Sequence, residues 1–339
     1  SNEQIKEKLG IPASKVISRT ALLGMLAVKE AIIDSQIDVS SNKTGLISST
    51  SVGGMDLTEI FFKDYIKDNT KGDIRQVLMH DCAASTKAIC NYCNINGYST
   101  TISTACSSSA NAIIKGYNLL KHGVLDAVIV GGCDALSAFT LNGFKSLMIL
   151  DKELCKPFDE RRAGLNLGEG AGYIVLQREE DCNKKYCRLS GFANTNDAFH
   201  QTASSENGEG AYLAMNKALS MAGLYPESID YINAHGTGTP NNDLTESIAI
   251  SRIFNQNMPL ICSTKSYTGH TLAASGGIEA VFSILSIKEG FVPESLNFAV
   301  PMHNGVIPNT TLHRQEINTV LSNSFGFGGN CSTLIFSKQ

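Results

Sequence analysis

The chain has 339 residues, of which 42% are hydrophobic, so it is long enough to bury a large core and to contain two halves. Its 28 lysines and arginines against 32 aspartates and glutamates give a net charge of −4, which argues against a nucleic-acid-binding protein with a basic surface. No apolar run reaches the ~18 residues of a membrane span, and no signal peptide is visible, so we expect no membrane segment.

The ten cysteines are not spaced like a disulfide framework, which favours a reducing, cytoplasmic location. Cys90 and Cys93 form a CxxC pair, but the pair lies inside a helical pattern and no second pair follows at zinc-finger spacing. We therefore expect ordinary structural thiols there and no metal site.

Hydrophobic periodicity predicts alternating helices and strands along the chain. In chain order the predictions are helix 20–35, strand 44–50, helix 82–95, strand 99–104, helix 107–122, strand 126–131, strand 171–177, strand 187–194, helix 209–223, strand 229–233, helix 243–255, strand 260–263, helix 271–289 and strands 317–322 and 331–336. Such alternation predicts parallel sheets covered by helices. The alternation of strands and helices occurs in two successive sets. It therefore predicts two duplicated halves, residues 1–182 and 183–339, which join in a charge-rich segment.

Cys106 has the most suggestive position in the sequence. A short β-branched run over 99–103 precedes it, and a predicted helix begins directly behind it. Backbone N–H groups and the helix dipole at such a place favour the thiolate, which is scarce for a free cysteine of pKa about 8.5. The position therefore predicts a nucleophile with a raised thiolate fraction, or alternatively a small buried residue at a strand–helix turn.

Three further segments are rich in reactive and flexible residues: NAHGTGTP (233–240), TKSYTGH (264–270) and NSFGFGG (323–329). Each segment also has an ordinary structural explanation when it is taken singly. The first can be a turn with a capping histidine, the second a neighbour of a helix N-cap, and the third a β-bulge or hairpin. None has the spacing of a phosphate loop. Taken together with Cys106, two histidines and a glycine-built oxyanion site indicate acyl transfer with a carbanion step.

In these segments, with TACSSS around Cys106, the chain resembles the elongating β-ketoacyl-acyl-carrier-protein synthases of the synthase II type. A weaker resemblance covers 159–176 and 194–210, and the whole runs from about residue 20 to the end. The resemblance implies an α/β, thiolase-like fold with two pseudo-symmetric βαβαβ halves in five αβαβα layers. This fold agrees with the duplicated alternation of helices and strands.

The resemblance also implies roles for three residues. Cys106 would take the growing acyl group from the pantetheine arm of an acyl carrier protein. His235 and His270 would bind the thioester carbonyl of malonyl-carrier protein and promote its decarboxylation, and the carbanion would attack the acyl-enzyme. Neutral imidazoles with Nε2–H donors suit this task, since one such donor is typically worth about 3 kcal/mol.

Other residues are implied in supporting roles. Lys265 would pair with Glu279, fourteen residues further on, and order the site. The backbone N–H groups of Cys106 and Phe327 would form the oxyanion hole. The implied substrate-binding residues are Thr237 and Thr239 for the pantetheine arm, and Val52, Phe144 and Phe327 for the acyl pocket. Val52 stands at a pocket-wall position where isoleucine is common in the family. Because valine is one methylene smaller, it leaves more room in the pocket, and we expect acceptance of medium to long acyl chains.

The implied enzyme has no cofactor or metal of its own, because phosphopantetheine is carried by the partner, an acyl- or malonyl-loaded acyl carrier protein. We expect a cytoplasmic homodimer that elongates fatty acids and binds neither nucleic acid nor membrane. Two departures stand out. The family begins with an apolar, mid-sheet strand ahead of Ser1, which suggests that the sequence is incomplete, and Asn330 and Cys331 replace the usual residues after GFGG.

Three alternatives remain open at this point. The same chemistry serves polyketide and aryl-polyene pathways, whose ketosynthases share the TACSSS motif. A non-catalytic chain-length partner subunit is disfavoured because that subunit typically lacks the cysteine. A degradative thiolase would use a C-terminal cysteine as base, but GFGGNC around Cys331 is not the thiolase glycine run, and the segment from Lys265 to His270 has no thiolase counterpart.

Overall fold

The computed structural model describes residues 1–182, 184–255 and 257–339. The predicted boundary between the halves falls at residue 183, which lies outside the described residues. The helices are α1 (Asn2–Leu9), α2 (Arg19–Ser35), α3 (Met55–Tyr65), α4 (Cys82–Cys93), α5 (Ser108–Lys121), α6 (Ala138–Ser146), α7 (Glu209–Ala222), α8 (Pro240–Phe254), α9 (Lys265–Thr268) and α10 (Ser275–Glu289). The strands are β1 (Thr44–Ser49), β2 (Ser99–Ile102), β3 (Ala127–Asp134), β4 (Gly170–Gln177), β5 (Arg188–Asn196), β6 (Tyr231–Asn233), β7 (Leu260–Cys262), β8 (Phe291–Val292), β9 (His313–Arg314), β10 (Thr319–Gly326) and β11 (Asn330–Ser337).

Two mixed sheets form the centre of the molecule. The first has the order β2-β1-β3-β4, with β4 antiparallel to β3 and the other pairs parallel. The second has the order β5-β11-β10-β6-β7, with β11 antiparallel to both of its neighbours. The prediction of parallel sheets is therefore correct for β1, β2, β3, β6, β7 and β10 and wrong for β4 and β11. For β11 the reason is the turn over 327–329, which is too short for the crossover that a parallel pair requires.

Helices cover both sheets and fill the space between them. α2 and α4 lie on the outer face of the first sheet, and α7 and α8 lie on the outer face of the second. α5 and α10 contact both sheets and form the middle layer, where their apolar side chains share one core with β1, β3 and β10. The five-layer arrangement predicted from the resemblance is confirmed.

The edges of the two sheets differ. β1, β2, β3 and β4 occupy the same relative places as β6, β7, β10 and β11, but β5 has no counterpart among the described residues of the first sheet. β5 is an edge strand, so the expectation that its counterpart lies mid-sheet does not fit this topology. The outer edge of β4 instead borders an open groove of about 590 Å³, lined by apolar side chains that include Ile174, Leu176 and Leu285.

The predicted helix over 271–289 starts four residues later than expected, at Ser275. Leu272 has a φ of 55°, in the left-handed region, and residues 272–274 form a single 3₁₀ turn before α10 starts at Ser275. Within the described ranges, no helix combines the length and apolar character needed to cross a bilayer.

Candidate active site

Cys106 sits on a sharp turn between β2 and α5. Ala105 before it has a φ of 52°, and Ser107 is the N-cap residue of α5. The side chain of Cys106 is buried, and the backbone N–H of Phe327 hydrogen-bonds its sulfur. The sulfur thus lies where strand, helix and the GFGG turn meet.

Burial controls the acidity of this thiol. Desolvation raises the pKa of Cys106 to about 11, while the charge of Lys265 and the N–H of Phe327 lower it by less. The expectation of a raised thiolate fraction is therefore wrong. The resting Cys106 side chain is a thiol, because desolvation by burial outweighs the charge of Lys265 and the N–H of Phe327.

His235 lies in the turn after β6, and buried acceptors and donors fix it on both sides. Glu246 on α8 accepts the backbone N–H groups of His235 and Gly236, each at 2.8 Å. Burial raises the pKa of Glu246 to about 7. On the ring, Lys265 Nζ lies 3.2 Å from Nδ1 and also donates to the His235 carbonyl at 2.7 Å.

His270 follows α9 and is held through the same ring atom. The backbone N–H of Leu272 donates to Nδ1 of His270 at 3.1 Å, and the Ser275 hydroxyl lies at the same distance from it. The ring stands perpendicular to that of His235, with their centroids 5.5 Å apart. The two imidazoles therefore form a close pair inside the protein.

Both imidazoles are neutral. Desolvation, and then the charge of Lys265, hold the pKa values of His235 and His270 well below their usual range. Because each Nδ1 atom faces a donor, the ring proton of each lies on Nε2. Each neutral ring therefore offers one N–H donor that can hydrogen-bond an oxyanion.

Lys265 and Glu279 form a buried ion pair with Nζ 2.5 Å from Oε1 and side-chain exposures of only 2% and 3%. Besides the lysine, Glu279 has the hydroxyl of Ser324 at 3.4 Å. Lys265 also touches His235, a contact that the sequence spacing does not predict. One cation thus connects α10 with the turn after β6.

A cavity of about 290 Å³ brings most of the predicted residues together. Its lining includes Cys106, His235, His270, Thr237, Thr239, Phe144 and Phe327. The rings of Phe144 and Phe327 stack with centroids 6.2 Å apart at its mouth, and the hydroxyls of the two threonines lie 2.9 Å from each other. Val52 is not among the described lining residues, so its place in the pocket wall stays a prediction.

The unusual Asn330 after the GFGG turn is well bonded. Its side-chain oxygen accepts hydrogen bonds from Ser107 at 2.7 Å, from Asn194 at 2.8 Å and from Asn111 at 2.9 Å. These bonds join the turn that carries Phe327 to the start of α5. The side chain that departs from the family pattern thus ties the GFGG turn to α5.

Sequence reasoning missed the acidic residues behind the histidine turn. Asp243 accepts the backbone N–H groups of Gly238 and Phe158. Glu246 accepts the backbone N–H groups of His235 and Gly236. Their signal was a pair of acidic residues at i, i+3 in the first two turns of α8, directly behind a glycine-rich loop that needs acceptors. Among the described residues, no cluster of three His, Cys, Asp or Glu side chains is arranged for a metal ion, and Cys90 and Cys93 are free thiols.

Within a duplicated five-layer fold, a buried thiol that shares its cavity with two imidazole N–H donors is the arrangement of a thioester-condensing enzyme of the thiolase fold. The β-ketoacyl synthase N-terminal domain matches residues 6–182, and the β-ketoacyl synthase C-terminal domain matches residues 186–299. The chain therefore belongs to the β-ketoacyl synthase family, and the resemblance read from its motifs is confirmed.

Relatives and solved structures agree with this assignment. The 3-oxoacyl-[acyl-carrier-protein] synthase 2 of Staphylococcus aureus is 33% identical, with 99% of this chain and 86% of the relative covered. A β-ketoacyl synthase structure from Burkholderia phymatum has a TM-score of 0.89 at 27% identity and covers 97% of this chain and 85% of its own. A ketosynthase from Xenorhabdus doucetiae, solved in complex with its chain length factor, has a TM-score of 0.83 at 35% identity and covers 98% and 84%.

Proposed function

We propose that Cys106 carries the acyl group in a carrier-protein-dependent ketosynthase reaction, and that His235 and His270 promote condensation with a malonyl unit. The observation that carries the proposal is the pair of neutral imidazoles, each with its proton on Nε2, in the same cavity as the Cys106 thiol. Two neutral N–H donors can hydrogen-bond the oxygen of an enolate, so the pair is better suited to stabilising an enolate than to relaying a proton.

In the first half-reaction the Cys106 sulfur attacks the thioester carbonyl of an acyl-carrier protein. The N–H groups of Cys106 and Phe327 stabilise the tetrahedral oxyanion. The pantetheine sulfur leaves and ends with the proton that the thiol gives up, so the products are acyl-Cys106 and a free pantetheine thiol. The raised pKa of Cys106 fits this order, because the thiol stays protonated until a substrate arrives.

In the second half-reaction malonyl-carrier protein binds with its thioester oxygen between the Nε2–H groups of His235 and His270. The bond to the carboxylate breaks, CO₂ leaves, and the electron pair becomes an enolate that both donors stabilise. The enolate carbon then attacks the acyl carbonyl and displaces the Cys106 thiolate, which takes a proton from solvent. Thr237 and Thr239 line the approach for the pantetheine arm.

The partners follow from this chemistry. The pantetheine group arrives on an acyl carrier protein, so the reaction as written needs no cofactor held by the chain itself. We also propose that the chain is a homodimer, for which the exposed apolar side chains of Phe139 and Met148, in and just after α6, offer contact surface. All ten cysteines are free thiols, which suits the cytoplasm.

Fatty-acid elongation is the pathway we favour. A second candidate is a ketosynthase that works with a separate chain length factor, in a polyketide or aryl-polyene pathway. The 35% identity to the Xenorhabdus doucetiae ketosynthase, which was solved with its chain length factor, favours that candidate.

The proposal is tested with a panel of carrier proteins that are loaded with saturated or polyunsaturated acyl groups. Each is mixed with malonyl-carrier protein and the purified chain. We expect intact-mass spectra to show β-ketoacyl products from saturated acyl groups with the chain alone. Activity that requires an added chain length factor would support the second candidate. Absence of both self-acylation and CO₂ release with every substrate would contradict the proposed function.

A further inference from the structure

Asp134, at the end of β3, is a fully buried carboxylate that joins the two halves of the molecule. From the loop after β1 it accepts hydrogen bonds from the Thr50 hydroxyl, from the hydroxyl of Ser51 at 2.7 Å, and from the backbone N–H groups of Ser51 and Val52. From the second half it accepts the backbone N–H of Ala273 at 2.8 Å. All of these groups are donors, so the side chain acts as an acceptor on every side.

The bond to Ala273 falls in the turn that fixes the His270 ring. Leu272, directly before Ala273, has a left-handed φ of 55°, which a leucine rarely adopts without outside support. Its N–H donates to Nδ1 of His270 at 3.1 Å. A backbone N–H can only donate, so this contact requires an unprotonated Nδ1 and leaves the ring proton on Nε2.

We propose that Asp134 is a positioning residue for condensation: its bond to Ala273 holds the turn whose Leu272 N–H keeps His270 in the Nε2–H form. The inference rests on the proposed function of His270 and adds a residue to it. Since the same carboxylate binds the loop after β1, the geometry of His270 also depends on the order of a loop in the first half.

Asparagine at position 134 is the sharpest test, because it keeps the shape but places an NH₂ group where one oxygen accepted hydrogen bonds. In Asp134→Asn we expect kcat for condensation to fall at least tenfold while KM for malonyl-carrier protein and the rate of Cys106 self-acylation change less than threefold. We also expect the ring ¹⁵N resonances of His270, assigned with His270→Ala, to move toward a mixture of the two tautomers.

Asp159→Asn is the matched control. Asp159 is equally buried and accepts hydrogen bonds from the N–H groups of Ala299 and Val300 and from the guanidinium of Arg161. Within the described part of the chain, none of its side-chain hydrogen bonds reaches His235, His270 or the turn over 271–274. We expect a loss of stability there, with both half-reactions and the His270 resonances as in the wild type. Should Asp134→Asn not fold, Asp134→Glu keeps the charge, displaces the oxygens and is expected to give the same split between the half-reactions.

Wild-type condensation in the folded Asp134 variant would overturn the inference, as would lost condensation with unchanged His270 resonances. Failure of the proposed function looks different, since the wild type itself would then neither self-acylate nor condense. Even in that case, a comparison of the His270 tautomer in the wild type and the variant would test whether Asp134 keeps His270 in the Nε2–H form.

Discussion

Replacing Lys265 with alanine removes the cation from a cluster that is closed to water. Among the groups that the structure describes, the carboxylate of Glu279 would keep only the Ser324 hydroxyl at 3.4 Å, and the carbonyl and Nδ1 of His235 would both lose a donor. Removal of one partner from a buried ion pair typically costs about 3–5 kcal/mol, because the other charge is left uncompensated. We expect the free energy of unfolding to fall by that amount, and condensation to be lost with it.

Urea unfolding of Lys265→Ala, Glu279→Gln and the double variant separates the charge from the geometry. The double variant should recover part of the lost stability, since it contains no unpaired charge, but not the activity, since His235 stays unsupported. Self-acylation of Cys106 serves as the control for a folded nucleophile site. Lys265→Ala within about 1 kcal/mol of the wild type, with activity lost, would refute the reasoning and point to a direct chemical role.

The remaining predictions concern protonation and the division of roles. Because the pKa of Cys106 is raised to about 11, its alkylation by iodoacetamide should still be accelerating with pH at about pH 10, and a plateau near pH 8.5 would contradict this. The pKa of Glu246 is raised from 4.5 to about 7, so its stabilising contribution is present below pH 4.5 and lost as pH rises through about 7. The unfolding free energy of the wild type should therefore fall by about 3 kcal/mol relative to Glu246→Gln over that range in urea titrations, whereas a constant difference would refute the assignment. His235→Ala and His270→Ala should each lower condensation by about a hundredfold or more in product assays while Cys106 self-acylation survives, and parallel loss of both would show that the roles are not divided.

The order of the main strands and of the long helices α2, α4, α5, α7, α8 and α10 was predictable from the sequence, because most of these elements have a periodic apolar pattern. The helices α1, α3, α6 and α9 and the two-residue strands β8 and β9 were not predicted. The site motifs were also predictable, since the turns around His235 and Phe327 combine reactive or aromatic side chains with glycines, and Cys106 stands between a predicted strand and a predicted helix. The Lys265–Glu279 pair follows from the resemblance and lies within one local segment of the second half.

What could not be predicted depends on contacts between distant segments. The pKa of Cys106 rises because both halves close over the sulfur, an effect absent from the local helix N-terminus. The late start of α10 depends on Leu272, whose left-handed conformation is supported by Asp134 from the other half. The antiparallel placement of β4 and β11 likewise depends on pairing across the sheet rather than on the pattern of each strand.

The most direct test of the account is to locate the acyl group after incubation with acyl-carrier protein. Peptide mapping by mass spectrometry should find the acyl mass on Cys106 in the wild type and in Cys90→Ala, a matched buried thiol on α4, and on no peptide of Cys106→Ala. Acyl mass on any of the other nine cysteines, or acylation that persists in Cys106→Ala, would contradict the central claim.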